Sequence, residues 1–274
     1  MRATRPRTTA ISFLNKGGSL LRRKIIHRVL QTRTAAVNKF CLLCLKNTHS
    51  TERFYRRRIF ITCIPNMRLI LVDKGQEFCE VLRWQFRSHP EVQINCGKFE
   101  DLPSFDCIVT AGNSFGLMDA GMDLAVVRFF GRQVMDRIQK QILDDYLGEQ
   151  PVGTCLIVPT DHALHPFVAH APTMRIPMNI QSTDHVYLAM WAALTAVHRH
   201  NRSEPKKIET VACPGLGTGT GGVDSLEAAL QLFLAYEHYL RPPQFINPSV
   251  AQQRHEKIYY GGHWGFKHPR RNSA

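Results

Sequence analysis

Two glycine-bearing segments hold the residues whose types and spacing suit chemistry. The first reads Thr110-Ala-Gly-Asn-Ser-Phe-Gly-Leu-Met-Asp-Ala-Gly-Met-Asp123, and the second Pro214-Gly-Leu-Gly-Thr-Gly-Thr-Gly-Gly-Val-Asp224. Each follows an apolar, strand-like run and leads into a helix-like run. Glycines at such a junction let the backbone come close to a ligand, and the N–H groups opening the next helix suit an anion, usually a phosphate. Two such loops on neighbouring strands imply a ligand carrying a diphosphate. In the second segment the backbone donors of residues 215–222, with Thr218 and Thr220 among them, are expected to hold it, helped by the helix that starts at Asp224.

Other chemistries fit less well. Gly217, Gly219 and Gly222 spell G-x-G-x-x-G, but only 52 residues follow and no further strand-helix-strand unit, so a Rossmann dinucleotide site is disfavoured. No lysine follows the glycines as a nucleoside triphosphatase loop requires. Asp161, His162, His165 and His170 have a loose metal-like spacing. Zinc sites show tighter paired motifs, so these read as loop histidines and no metal site is expected. His170 ends a strand on the ligand side of the sheet. Taken alone, Asn113 reads as a turn cap and Asp123 as a helix-start acid.

The elements that must position these loops alternate from Met67 onward. Strands are expected at 68–73, 92–96, 105–110, 154–159, 167–171 and 208–213. Helices are expected at 75–87, within 121–147, at 183–200 and at 224–240. The last is capped by Asp224 and carries a stripe of Leu226, Leu230, Phe233 and Leu240. Such alternation argues for an α/β layer structure with a mainly parallel central sheet. Residues 241–274 read as an irregular C-terminal tail, with Tyr259, Tyr260 and Trp264 available to pack back.

Charge separates a further region. Residues 1–66 carry 15 Lys and Arg against one acid, Glu52, while the remainder carries 20 against 21. The basic balance of the chain, +13, therefore belongs to this extension and not to the domain. Three readings compete for residues 1–66: a mitochondrial transit peptide, a disordered basic arm for nucleic acid or anionic lipid, and a spurious upstream extension with Met67 the working start. The last is favoured. Several of the eight cysteines sit in strand-like apolar runs, the pattern of reduced buried thiols, which suggests a reducing, cytoplasmic setting, or mitochondria if a transit peptide is present. Cys41-Leu-Leu-Cys44 lacks a second pair and reads as two small hydrophobes. No apolar run is long enough for a transmembrane helix, so no membrane partner is expected.

Taken as a pair, the two segments resemble the macro domain family, which binds ADP-ribose. Asn113 matches the second Asn of the family's Asn-Ala-Ala-Asn-type turn, Gly121-Met-Asp123 its Gly-Val-Asp, and Pro214, Thr218, Gly219 and Gly222 its later loop. The pattern of elements agrees over roughly residues 67–240, and the wording of the first segment is closest to a branch that includes phage-tail-type macro proteins. The resemblance implies a three-layer α/β/α fold with a mixed, mainly parallel sheet. It implies that Gly116 and Gly121, with the loop Gly215, Gly217, Thr218, Gly219, Thr220 and Gly222, contact ADP-ribose or a related nucleotide, free or on an ADP-ribosylated protein. Asn113 would hydrogen-bond the distal ribose as donor and acceptor, and Asp123 would handle a water, with Asp119 in reserve; no cofactor is implied. The implied activity is hydrolysis of an ADP-ribosyl or O-acetyl-ADP-ribose linkage. The alternatives are a non-catalytic binding module and a structural or assembly protein that has lost the ligand. Three positions depart from the family. Lys98 stands where an Asp accepts the adenine amino group, leaving Glu100 or Asp101 as replacements. Gly221 stands where an aromatic ring often stacks, and Leu117 to Ala120 replace part of the first glycine run.

Overall fold

A computed structural model describes residues 67–258. Expectations for residues 1–66, including the Cys41/Cys44 pair, and for Tyr259, Tyr260 and Trp264 lie outside the described residues.

Strand β1, Arg68–Asp73, shows how the sheet is built. Successive side chains of a strand point to opposite faces. Leu69 and Leu71 therefore enter one core with Phe78 and Leu82 of α1 (Gln76–Gln85), Met190 and Leu194 of α4 (His185–Ser203) and Leu232 and Tyr236 of α5 (Ser225–Leu240). Ile70 and Val72 enter a second core with Val126 and Phe130 of α2 (Gly121–Phe130) and Val134, Ile138 and Ile142 of α3 (Gln133–Tyr146). Both faces of the sheet are covered, which gives three layers, α/β/α. It also explains why the strands read as near-continuous apolar runs rather than alternating ones.

The remaining strands are β2 (Gln93–Cys96), β3 (Cys107–Thr110), β4 (Leu156–Pro159), β5 (Phe167–His170) and β6 (Thr210–Pro214). Their order across the sheet is β2-β1-β6-β3-β5-β4. Every pairing is parallel except β4 with β5, so the sheet is mixed and mainly parallel. Because β2, β1, β6, β3 and β5 run the same way, the loops that follow them emerge at one end. Sheets of this kind offer ligands the crevice outside that end.

Two local results differ from expectation. The tail is not wholly irregular, since α6 spans Pro248–Lys257. Asn247 caps it, its side chain accepting from Val250 N–H at 2.9 Å, and Pro248 sits at the start, where its missing N–H costs nothing. The helix buries none of its own residues, so it carries no apolar stripe to read. It docks through Arg254, 5.2 Å over the Trp191 ring, and through buried Ile258 just beyond it. Strands β2 to β5 are also shorter by a residue or two than expected, whereas β1 keeps its expected bounds and β6 starts two residues later and ends one later, at Pro214. Cys79, Cys107, Cys155 and Cys213 are buried thiols, while Cys96 is exposed. No helix among the described residues is long and apolar enough to cross a membrane.

Candidate functional site

A cavity of about 340 Å³ opens at the carboxyl ends of the parallel strands. That volume falls within the range of small-molecule sites. Asp73 at the end of β1 with Lys74 after it, and Gly97 to Glu100 after β2, wall one side of it. The loop after β6 stands in the middle, and the stretch from Ala111 to Asp123 after β3 walls the other side. Adjacent strands lie about 4.8 Å apart, so the β2-to-β3 span is on the order of 15 Å. The cavity is therefore elongated across the strand ends.

The sequence-identified residues divide here. Asn113, Gly121, Asp123, Gly215, Gly217, Thr218, Gly219 and Thr220 all line the cavity. Gly116 and Gly222 do not. Gly116 holds φ +62°, and a Cβ there would sit 3.0 Å from Ile138 and 3.1 Å from Ile142. Its glycine lets the loop turn and press onto α3. Gly222 faces Asn179, and its carbonyl accepts from Gln181 Nε2 at 2.6 Å.

The later loop works chiefly through its middle. Gly222 N–H bonds the Gly219 carbonyl and Val223 N–H the Gly217 carbonyl, each at 3.0 Å, which folds the loop back on itself. The N–H groups of Thr218, Gly219, Thr220 and Gly221 make no such bond among the described residues, so a run of donors lines the cavity. A Cβ on Gly221 would lie 2.6 Å from the Gly217 carbonyl oxygen, which is why no side chain, aromatic or otherwise, stands there. At Gly219 nothing lies within 4 Å. The helix at Asp224 contributes less than its sequence suggests. The Asp224 carboxylate itself caps α5, accepting from Leu226 N–H at 2.9 Å and Glu227 N–H at 3.4 Å. The helix whose N-terminus reaches the cavity is α2. Its cap residue, Ala120, has no side chain to satisfy the first N–H groups, so these stay available to an anion.

Asn113 is buried and its side chain folds its own loop. Oδ1 accepts from Phe115 N–H at 3.1 Å and Leu117 N–H at 3.3 Å, and Nδ2 donates to the Leu117 carbonyl at 2.8 Å. One Nδ2 hydrogen remains for a ligand, so the expected donor-and-acceptor role narrows to that of a donor. The turn-cap reading therefore holds, and it leaves one donor hydrogen free of the loop.

Asp123 sits in the first turn of α2, buried, with no partner for Oδ1 among the described residues. Burial, with help from the Asp119 carboxylate, pushes its carboxyl up to about 7. Asp119 lines the cavity but is exposed. Lys98 is exposed, whereas Glu100 lines the same wall with a buried Oε2 that has no partner among the described residues. Asp101 lies outside the cavity wall.

The Asp123 environment has a stability consequence. In the folded chain the carboxyl holds its proton to about pH 7, whereas the unfolded group releases it near 3.8. Between those values the folded state binds more protons, so stability falls as pH rises and stays lowered above 7. Asp123→Asn removes the ionisable group. Its advantage over wild type should grow with pH, approaching at most ~4 kcal/mol above pH 7. Denaturant unfolding of both proteins at about pH 4.5 and about pH 8 reads this difference; one that does not change with pH would show that Asp123 ionises as an exposed acid does.

The histidines part company. His162 and His165 stack at 4.7 Å beside Phe129 and Phe105, away from the cavity. Among the described residues no group of three His, Cys, Asp or Glu side chains gathers where a metal ion could be held. His170 ends β5, fully buried, and a Cβ added to Gly112 would overlap its Nε2 and lie 3.0 Å from Asp123 Oδ2. Sequence reading missed Gly112, Thr173 and Gln150 at this spot. No motif marks Thr173 or Gln150, but a glycine directly before Asn113 was a usable signal of close approach.

Residues 109–232 match the Macro domain family. An uncharacterized protein of Aquifex aeolicus strain VF5 is 32% identical over 125 residues, covering 45% of this chain and 68% of the relative. One from Aeropyrum pernix is 28% identical over 130 residues, covering 47% and 62%. Among solved structures, the macrodomain of Mycobacterium tuberculosis DarG is 20% identical with a TM-score of 0.44, covering 52% of this chain and 87% of that one. A mutant Oceanobacillus iheyensis macrodomain with ADPR is 18% identical with a TM-score of 0.46, covering 71% and 94%. The same macrodomain with ADP is also 18% identical, with a TM-score of 0.45 and coverage of 59% and 86%.

Proposed function

This chain belongs to the macro domain family, and on that premise we propose that its cavity binds ADP-ribose or a derivative and hydrolyses a linkage at the distal ribose. The observation that carries the reading is the order of groups along the strand ends. The wall after β1 and β2 offers Glu100 Oε2, buried and without a partner, as acceptor for an adenine amino group in place of the absent aspartate. The donor run of residues 218–221 and the N-terminus of α2 suit a diphosphate in the middle. Asn113 and Asp123 then meet the distal ribose over β3. Adenosine, diphosphate and ribose come in the same order and on about the same scale.

Catalysis in this reading falls to Asp123. A carboxylate whose proton affinity is matched to neutral pH is an efficient general base. It takes a proton from water as the water oxygen bonds to the electrophilic carbon, and the bond from that carbon to the leaving oxygen breaks. For an ADP-ribosyl ester that carbon is the anomeric carbon, and for O-acetyl-ADP-ribose it is the acetyl carbonyl. Asn113 Nδ2 holds a ribose hydroxyl. A binding module without catalysis is the second reading, favoured by the Asn113 amide being largely taken up by its own loop.

Adding ADP-ribose to the full chain should raise its melting temperature and give a calorimetric binding signal. A ligand that binds only the folded state stabilises it by mass action, by about 2.7 kcal/mol at a hundredfold excess over Kd. No shift and no heat at about 1 mM would exclude any affinity of use to the reading. Binding without release of ADP-ribose from a mono-ADP-ribosylated protein, and without deacetylation of O-acetyl-ADP-ribose, would select the binding module.

A further inference from the structure

Behind Asp123 the fold holds a polar pair that the hydrolytic reading leaves without a task. His170 Nδ1 lies 2.8 Å from Oε1 of Gln150, and both residues are fully buried. The Gln150 amide nitrogen donates to the His170 carbonyl at 3.3 Å, and Gln150 N–H bonds the Ser114 carbonyl at 2.8 Å, next to Asn113. These bonds fix which end of the Gln150 amide faces the ring. Oε1 only accepts, so Nδ1 carries the hydrogen and Nε2 presents a lone pair. That Nε2 has no partner among the described residues. A Cβ on Gly112 would overlap that Nε2 and lie 3.0 Å from Asp123 Oδ2, so the bare glycine keeps the space between ring and carboxylate clear, and no hydrogen bond joins the two in the structure. Thr110, the register partner of His170, and Thr173, whose N–H bonds the Gly112 carbonyl, add two more buried hydroxyls without partners. Among the described residues five buried side-chain atoms lack a partner, and four of them, on Thr110, Asp123, His170 and Thr173, belong to the ends of β3 and β5 and the segments that follow them; buried polar atoms rarely stay unpaired without a functional reason.

We propose that His170, oriented by Gln150, is a positioning residue for Asp123, its Nε2 lone pair accepting a hydrogen bond from the carboxylic acid that forms when Asp123 takes up a proton. The proposal rests on the reading of Asp123 as the base. A lone pair accepts from the protonated acid and repels the carboxylate, so it favours proton uptake and holds the acid in place while the leaving group departs. A neutral imidazole is required, and burial supplies it by pushing His170 down to about 4. The other charges facing Asp123 are few. Asp119 precedes α2, and Asp73, Lys74, Lys98 and Glu100 stand along the β1 and β2 side of the same cavity.

The test is a carbon NMR titration of aspartate carboxyls in the full chain, without substrate, assigned through Asp123→Asn. Wild type should titrate Asp123 near neutrality. In His170→Phe, which keeps the site dry but has no lone pair, the midpoint should fall by about half a pH unit or more, the size of one hydrogen bond. His170→Gln, with an amide oxygen as acceptor, should restore most of the shift. If His170→Phe does not fold, Gln150→Leu frees the ring to turn and should lower the midpoint in the same direction. In an activity assay the acid limb of kcat should move with the NMR midpoint while KM stays level. An Asp123 midpoint unmoved in a folded His170→Phe or Gln150→Leu protein overturns the pairing. Inactivity of wild type on both linkages, with the midpoint shifting as stated, overturns the hydrolytic reading and leaves the pairing standing.

Discussion

Gly219→Glu is expected to abolish ADP-ribose binding in a protein that still folds. Gly219 lies in the run of backbone donors that lines the cavity, and a Cβ built there meets nothing within 4 Å. The substitution therefore costs the fold little and brings a carboxylate to where the diphosphate is to sit. Like charges about 5 Å apart repel by ~3 kcal/mol at an effective dielectric of about 20, which is more than a hundredfold in Kd for one phosphate alone. Neighbouring glycines give the contrast. Gly221→Ala drives a Cβ to 2.6 Å from the Gly217 carbonyl, and Gly217→Ala presses Val186 from a backbone at φ +73°, so both should lower the melting temperature. Calorimetry with ADP-ribose, beside thermal unfolding of each variant, separates the two kinds of glycine. Unchanged affinity in folded Gly219→Glu would put the phosphates elsewhere in the cavity.

The same loop shows what was legible in the residues and what was not. Strand-loop-helix alternation was readable because strands covered on both faces carry unbroken apolar runs, as at Leu69 to Val72 and Val211 to Cys213. The glycines marked the loops, but a glycine reports only that the backbone is unusual or crowded. Gly219 faces open space, Gly221 is crowded by the loop's own turn, Gly217 by Val186 of α4, and Gly116 by α3; only coordinates separate these causes. Asp224 was recognised as a helix cap, and for that reason it is a poor anion site, since its own carboxylate occupies the position a phosphate would take. Helix α6 escaped notice because it buries none of its residues, and helix periodicity is visible only where one face is buried. Gln150 and His170 are fully buried 20 residues apart in sequence, and no local pattern signals that two polar residues will meet across a sheet edge.

Asp123→Ala should lower turnover by ~10²–10⁴ and leave most of the affinity for ADP-ribose, because proton transfer counts mainly in the transition state. Removing the carboxylate also relieves a buried charge above pH 7, so the variant should be no less stable than wild type at pH 8, and loss of activity there cannot be put down to unfolding. Asn113→Ala should behave in the opposite way. Its amide holds the Phe115 and Leu117 N–H groups and the Leu117 carbonyl, so truncation loosens the loop that carries the site and weakens binding together with turnover. The pH dependence of wild-type kcat provides an independent check. A base must be ionised to act, so the rate should climb through about pH 7, where burial and Asp119 have placed the Asp123 carboxyl, and then level off. A rate flat from about pH 5 upward would describe an ordinary exposed carboxylate. Full activity in Asp123→Ala would pass the role to Asp119, the other acid on the same cavity wall.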